Sequence, residues 1–169
     1  MKYFIGTLLA GFFSLIAVGM LGAGAFWAKY EKPDPQPIAF PHNKHAGNLN
    51  LQCTHCHNYV EKSRFAGIPA VKICMDCHLN APIESPEIDK LKQYWADQEP
   101  IPWQRIHYVP PHVYFNHKRH IAAGIECESC HGDMTVVDRV KQVRTLKMGF
   151  CVSCHNAKGA PVDCWTCHG

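Results

Sequence analysis

The sequence predicts a mainly irregular and α-helical chain that begins with one long apolar helix. An uncharged apolar run from Phe4 to Ala28 indicates the helix. The pattern Cys-x-x-Cys-His, which occurs five times in the rest of this 169-residue chain, indicates the irregular part. Only about 140 residues follow the apolar run, and so short a chain cannot build an ordinary apolar core around five such motifs.

The apolar run is long enough to cross a bilayer with some tilt. Because it is longer than the apolar region of a usual signal peptide, residues 1–30 are interpreted as an uncleaved signal anchor that crosses the cytoplasmic membrane once. Lys2 precedes the run, and Trp27, Lys29 and Tyr30 lie at its far edge as interfacial anchors. A cleaved signal peptide remains the alternative, since Ala23-Gly24-Ala25 resembles a small-residue cleavage site.

The segment after the apolar run is rich in proline. Residues 31–41 contain Pro33, Pro35, Pro37 and Pro41, and this composition predicts an extended, semi-rigid spacer. Residues 42–169 are left as the folded domain that carries the five motifs.

All ten cysteines of the chain lie inside the five motifs. The pairs are Cys53 and Cys56, Cys74 and Cys77, Cys127 and Cys130, Cys151 and Cys154, and Cys164 and Cys167. The histidines that directly follow them are His57, His78, His131, His155 and His168. A single Cys-x-x-Cys could be half of a zinc site, a redox dithiol or a disulfide. None of these explains a histidine at the next position in five copies.

This spacing is typical of covalent attachment of c-type haem. The two thiols bind one porphyrin, and the histidine supplies an axial nitrogen to its iron. The sequence therefore predicts five covalently attached haem c groups, on which folding should depend. Because such haems are attached outside the cytoplasm in bacteria, the domain is expected in the periplasm. The formal charge of +3 omits the haem propionates and indicates no nucleic-acid partner.

The motif-bearing region contains an internal repeat. Phe40-Pro41-His42-Asn43-Lys44-His45 precedes the first motif, and Phe115-Asn116-His117-Lys118-Arg119-His120 precedes the third. In each copy a second motif follows, at Cys74 and at Cys151. The domain is therefore predicted to contain two dihaem modules, with a terminal haem at Cys164.

A relay haem needs a second axial ligand, and seven of the 12 histidines lie outside the motif positions. The repeat selects four of them as distal ligands: His42, His45, His117 and His120. His107 is predicted as the fifth. Met148, three residues before Cys151, and His112, which precedes a strand-like Val-Tyr-Phe, are the alternatives. His55 lies between two haem-bound cysteines and is expected to point away from its own iron.

One ordinary helix is predicted between the two repeats, from Ser85 to Gln98. Ser85 is a candidate N-cap, and Pro86 suits the first helical position. Ile88, Leu91, Tyr94 and Trp95 would form its apolar face.

With these residues in place, the chain resembles the class III, cytochrome c3/c7-like multihaem proteins, in which Phe-x-His-x-x-His precedes Cys-x-x-Cys-His. It is further similar to the pentahaem cytochrome c subunit of alternative complex III and of the related quinone reductase complex of sulfate reducers. The similar stretches are Gln36–Gly47, Val60–Ser63, Ala66–Pro69, Cys74–His78, Ile101–His107, Val113–His117 and Leu146–Met148. The chain departs from that pattern in the short segment between His155 and Cys164, and in His112, where an acidic residue is more usual.

The resemblance implies a membrane-anchored subunit that relays electrons within a quinone-linked respiratory complex. The implied partners are an iron–sulfur and molybdopterin-fold periplasmic subunit, polytopic quinone-binding membrane subunits, and a periplasmic electron-carrier protein. No catalytic site is expected on this chain alone.

Two other functions are considered. A stand-alone membrane-anchored quinol dehydrogenase, which feeds a periplasmic reductase, would need an unusual axial position at its first haem, and the duplicated Phe-x-His-x-x-His disfavours it. A catalytic multihaem reductase would need a vacant axial position with proton donors nearby. The spare histidines disfavour that second alternative.

Overall fold

The computed structural model describes residues 2–31 and 35–168. Its helices are α1 (Lys2–Glu31), a π-helical turn (Asn43–Asn48), α2 (Cys53–Cys56), α3 (Val71–His78), α4 (Pro86–Ala96), α5 (His117–Ala122), α6 (Glu128–His131), α7 (Met148–Lys158) and α8 (Cys164–Cys167). No β-strand occurs within the two described ranges. The Val-Tyr-Phe segment that looked strand-like is therefore an irregular connection, and the predicted helical and irregular fold is confirmed.

The chain divides into two compact units, one formed by α1 and one that contains all five motifs. Within α1, the span Phe4–Ala28 has a mean hydropathy of 2.2, and the structure buries none of it. This helix is long and apolar enough to cross a membrane, although a signal sequence meets the same criterion. Trp27 is exposed, whereas the side chains of Lys2, Lys29 and Tyr30 lie outside the described residues.

Helix α4 confirms the helix that was predicted between the repeats. The Ser85 hydroxyl accepts a hydrogen bond from the Ile88 amide, and Pro86 occupies the first turn. The helix ends at Ala96, two residues earlier than predicted. The reason is that Gln98 adopts a left-handed φ of 56°, and the Glu99 amide donates back to the Tyr94 carbonyl.

A very small apolar core joins α3 to α4. It consists of the four buried residues Ile38, Met75, Leu91 and Ile101. Val71, Ile88, Tyr94 and Trp103 are among the half-buried residues packed around it. Apart from Val60, no other hydrophobic residue in the described part of the chain is buried. This protein-only core is far too small for an ordinary domain of this length.

The second half of the predicted spacer packs against the domain. Gln36 and the main chain of Gln104 exchange two hydrogen bonds of 3.1 and 2.9 Å. The Ala39 amide donates to the Glu87 carboxylate at 2.6 Å. Residues 36–39 are therefore fixed against the region around α4, whereas residues 32–34 of the spacer lie outside the described part of the chain.

The two repeats hold each other by reciprocal hydrogen bonds at the start of their histidine-bearing helices. In the first repeat, the Asn43 amide donates to the Val137 carbonyl of the second repeat at 2.8 Å. In the second repeat, the amides of His117 and Lys118 donate to the carbonyls of Arg64 and Ser63 at 3.2 Å. The first turn of a helix leaves its amides without partners inside the helix. Here the carbonyls of each repeat accept from such amides in the other repeat.

Candidate haem-attachment sites

Each Cys-x-x-Cys-His motif lies on or beside a short helix. The motifs occupy α2, the end of α3, α6 with its preceding cysteine, α7 and α8. Residues three apart in one helical turn are neighbours on the same face, so both thiols of a motif project together. Sequence reasoning missed these helices, because each is defined by a short ligand motif rather than by an apolar periodicity.

The thiols do not pair with one another or form a metal cluster. None of the ten is in a disulfide, and among the described residues no three His, Cys, Asp or Glu side chains converge as metal ligands. Burial raises the pKa of Cys56, Cys74 and Cys130. These thiols are therefore protonated at neutral pH, whereas a redox dithiol depends on a lowered pKa.

Thiol contacts connect the first motif to two others. Burial raises the pKa of Cys56, and the neighbouring thiols of Cys53 and Cys77 raise it further. The first and second motifs therefore lie side by side. Burial raises the pKa of Cys127, and the nearby Cys53 thiol raises it further. The first and third motifs, which belong to different repeats, are therefore neighbours.

Further contacts connect the third, fourth and fifth motifs. Burial raises the pKa of Cys130, and the thiols of Cys154 and Cys151 in the fourth motif add to the rise. Burial likewise raises the pKa of Cys151, with the Cys167 thiol of the fifth motif as the next cause. The five motifs thus form a continuous series of neighbours in the order second, first, third, fourth and fifth.

Three of the histidines that follow the motifs are held by backbone carbonyls. The Nδ1 atoms of His57, His155 and His168 lie 2.9, 2.6 and 3.1 Å from the carbonyl oxygens of Gly67, Pro161 and His112. In these bonds Nδ1 must carry the proton and donate it. The Nε2 lone pair of each ring is consequently free, which is the usual arrangement of a metal-ligating histidine.

The repeat histidines His45, His117 and His120 have the same arrangement. Their Nδ1 atoms lie 3.0, 3.0 and 2.8 Å from the carbonyl oxygens of Pro41, Arg64 and Asn116. Nδ1 is again the donor, so the Nε2 atom of each repeat histidine remains available as a ligand.

Each of these three rings faces a motif histidine across a similar gap. The ring centroids are 6.0 Å apart for His45 and His78, 6.4 Å for His117 and His131, and 6.1 Å for His120 and His155. Two metal–imidazole bonds of about 2 Å, together with the two ring radii, give roughly 6 Å between trans imidazoles. These gaps therefore fit one iron between each pair of rings.

His42 and His78 are half-buried rings with an unpaired nitrogen. The Nδ1 atom of each is buried without a hydrogen-bond partner. Burial, with smaller contributions from His57 and His45, lowers the pKa of His42 to about 4, and burial also lowers the pKa of His78. Both rings are consequently neutral at pH 7, and neutral imidazole is the form that binds a metal.

The phenylalanine of each repeat packs against both of its histidines. The Phe40 ring meets His42 edge-on at 4.8 Å and stacks on His45 at 4.3 Å. Phe115 makes the equivalent contacts with His117 at 4.7 Å and His120 at 4.6 Å. The Phe in Phe-x-His-x-x-His therefore orients two imidazoles at once, which sequence reasoning had not assigned to it.

His107, predicted as the fifth distal ligand, lies against the histidine of the third motif. Its Nε2 atom lies 3.3 Å from Nδ1 of His131, and the ring centroids are only 4.4 Å apart. That gap is too short for an iron between the two rings. His107 instead lies at the edge of His131 opposite to the one that would bind iron.

The two alternatives for the fifth distal ligand, His112 and Met148, lie in different surroundings. The carbonyl of His112 accepts from Nδ1 of His168, and the two rings lie nearly parallel with centroids 5.3 Å apart. His112 is thus tied to the Nδ1 edge of His168 and cannot reach across an iron bound to Nε2. Met148 is exposed at the start of α7, one turn before Cys151. His55 is exposed on α2, whereas Met75 is buried in the core.

Comparisons with known proteins match both repeats. The family described as class III cytochrome C matches residues 25–101. The family described as cytochrome c7 and related cytochrome c matches residues 113–169. The chain is 26% identical over 184 aligned positions to the menaquinone reductase multihaem cytochrome c subunit of Nitratidesulfovibrio vulgaris strain Hildenborough, with 93% of this chain and 88% of the relative covered. These matches show that the first half of the chain is similar to class III cytochromes c and the second half to cytochrome c7.

Proposed function

We propose that this chain is a membrane-anchored pentahaem cytochrome c that relays electrons within a quinone-linked respiratory complex. The observation that carries the proposal is the set of three histidine pairs whose ring centroids lie 6.0 to 6.4 Å apart, within a continuous series of neighbouring motifs. A relay requires each redox centre to have a near neighbour, and no motif in the series second, first, third, fourth and fifth is isolated.

Three of the four proposed ligand sets follow the ring pairs. His45 serves the iron of the second motif, with His78. His42 is assigned to the iron of the first motif, with His57, because it occupies the same position in its repeat as His117. In the second repeat, His117 pairs with His131, and His120 pairs with His155. Each Phe-x-His-x-x-His helix therefore joins two haems of its own repeat, which supports the interpretation of two dihaem modules. With two imidazoles per iron, these haems are suited to one-electron transfer.

Two observations support attachment to the membrane and a folded unit that begins soon after the anchor. Helix α1 supplies an apolar span from Phe4 to Ala28. The residues that follow it, from Gln36 onward, are tied to the haem-binding unit by hydrogen bonds. We place the haem-binding unit in the periplasm, because c-type haems are attached outside the cytoplasm, with α1 as a single-pass anchor in the cytoplasmic membrane.

The named relative supports a complex rather than a free carrier, since it is a subunit of a menaquinone reductase. The partners proposed here are an iron–sulfur and molybdopterin-fold periplasmic subunit and polytopic quinone-binding membrane subunits, with a periplasmic carrier protein at the other end of the relay. The chain itself contributes no catalytic residue. It supplies five attachment sites and sets their potentials through axial ligands and burial.

Purification of the tagged chain in mild detergent tests the proposal. We expect membrane and iron–sulfur subunits to co-purify with it. We also expect the haem absorption of the purified assembly to change when a menaquinone analogue is added in its oxidised or reduced form. Recovery of the chain as a monomer whose haems do not respond to the quinone would overturn the proposal. Quinol oxidation by the isolated chain alone would instead indicate a stand-alone quinol dehydrogenase.

A further inference from the structure

The histidine of the third motif has an unusual hydrogen-bond partner. His57, His155 and His168 each have Nδ1 next to a backbone carbonyl. The Nδ1 atom of His131 instead lies 3.3 Å from a side chain, the imidazole of His107. This difference is specific to one attachment site.

The direction of this bond follows from the chemistry of the two rings. His131 faces His117 with nearly parallel planes, at an interplanar angle of 9° and a centroid separation of 6.4 Å. If Nε2 of His131 binds iron on that side, Nδ1 must carry the ring proton and donate it. His107 then accepts through Nε2 and holds its own proton on Nδ1.

The segment that carries His107 is held in place by side chains. Nε of Arg105 donates to the His107 carbonyl at 3.0 Å. The next amide, that of Tyr108, donates to the side-chain oxygen of Gln142 at 3.1 Å. The amide nitrogen of Gln142 in turn donates to the Arg144 carbonyl at 2.8 Å. These bonds fix the main chain on both sides of the imidazole, and the ring meets His131 edge-on at 80°.

We propose that His107 is a positioning residue that accepts the Nδ1–H hydrogen bond of His131, and that it is not an axial ligand of a haem iron. The inference rests on the proposed pairing of His131 with His117 at the third motif. The inference assigns His107 a positioning role at the third motif, whereas the sequence had suggested that His107 is the fifth distal ligand.

An imidazole acceptor has a physical consequence for the ligand that it holds. Imidazole nitrogen is a more basic acceptor than a peptide carbonyl, so it draws the Nδ1 proton more strongly and makes Nε2 of His131 a better electron donor. Partners of this kind fix ring orientation and raise ligand basicity. A more basic ligand favours the ferric iron, so His107 should hold the third haem at a lower potential than a carbonyl partner would.

The test uses the full-length, haem-loaded protein with His107→Ala and His107→Gln. For His107→Ala, we expect all haems that are low-spin in the parent protein to stay low-spin in the electron paramagnetic resonance spectrum. We also expect one component of the redox titration to move to higher potential. For His107→Gln, whose amide oxygen can still accept the bond, we expect a smaller shift of the same component. A purely structural role would give no such ordered change in potential.

Two matched variants separate the outcomes. His112→Ala keeps the main-chain carbonyl that holds His168, so we expect no change in potential. His117→Ala removes the proposed distal ligand, so we expect one new high-spin haem. If His107→Ala itself produces a high-spin haem, His107 is a ligand and the inference is wrong. If His107→Ala leaves every potential unchanged, the inference is also wrong. If His117→Ala leaves all haems low-spin, the pairing at the third motif fails instead.

Discussion

The thiol of Cys53 lies near that of Cys127 although they belong to different repeats, and after burial it is the next cause of the raised pKa of Cys127. Around this contact the repeats exchange main-chain hydrogen bonds, from Asn43 to Val137 and from His117 to Arg64. The first and third motifs therefore lie at the junction between the two halves of the haem-binding unit.

This junction predicts how the haems are arranged. In the haem-loaded protein, the shortest porphyrin separation between the two repeats should join the haem on Cys53 and Cys56 to the haem on Cys127 and Cys130. An electron cryomicroscopy map of the assembled protein would measure that separation. A shorter distance between any other pair of haems from the two repeats would contradict the proposed order.

Removal of a distal histidine should affect one haem. His45 faces His78 at 6.0 Å, so His45→Ala should convert one low-spin haem to a high-spin form, because its iron loses one of two imidazoles. Electron paramagnetic resonance of the oxidised protein would count the change. His55→Ala is the matched control, since His55 is exposed on α2, and its spectrum should equal that of the parent. A low-spin spectrum for His45→Ala would refute the assignment of His45.

The sequence was sufficient where a short-range pattern decides the geometry. The N-cap of α4 at Ser85 is such a local pattern, and the structure confirms it. The repeat histidines are another, and the rings of His45, His117 and His120 each face a motif histidine. The near absence of a protein core followed from chain length. Among the described residues, only Ile38, Val60, Met75, Leu91 and Ile101 are buried.

The role of His107 depends on contacts that no local pattern encodes. A histidine in an irregular segment carries no sign of which edge of another ring it meets, and the bond to His131 joins residues from separate parts of the chain. The order of the motifs is equally non-local, because it depends on how the repeats pair through Cys53 and Cys127. Such relationships require the tertiary structure.

Gly47 should be intolerant of a side chain, because a Cβ there would collide with the main-chain carbonyl of Thr135. Gly47→Ala is expected to destabilise the haem-loaded protein by about 1–3 kcal/mol, as overpacking at a rigid contact does. Thermal unfolding monitored by haem absorption would measure the loss. At Gly149, in α7, a Cβ meets nothing within 4 Å, so Gly149→Ala should be neutral or slightly stabilising. Equal stability of the two variants would contradict this contact.

Glu87 should link stability to pH. Hydrogen bonds from Lys90 and from the Ala39 amide lower its pKa below 4.5. A carboxyl with a lowered pKa in the folded state contributes stability that is present above its unfolded pKa and is lost as the pH falls through the folded value. Glu87→Gln should therefore be less stable than the parent at neutral pH, and the gap should close on acidification below the ordinary glutamate pKa. Denaturant midpoints at both pH values test this, and a gap that does not depend on pH would contradict it.

Helix α1 should remain attached to the mature protein. Its apolar span from Phe4 to Ala28 satisfies the length of both a membrane anchor and a signal sequence, so the mature N-terminus distinguishes the two. We expect intact-mass analysis of the purified, haem-loaded protein to include the whole of α1, and we expect the protein to fractionate with membranes. If Phe4–Ala28 is replaced by a cleavable signal peptide, the haem-binding unit should still acquire its haems but lose its own anchor. A wild-type N-terminus just beyond Ala25 would show instead that the segment is a signal peptide, and anchoring would then have to come from the partner subunits.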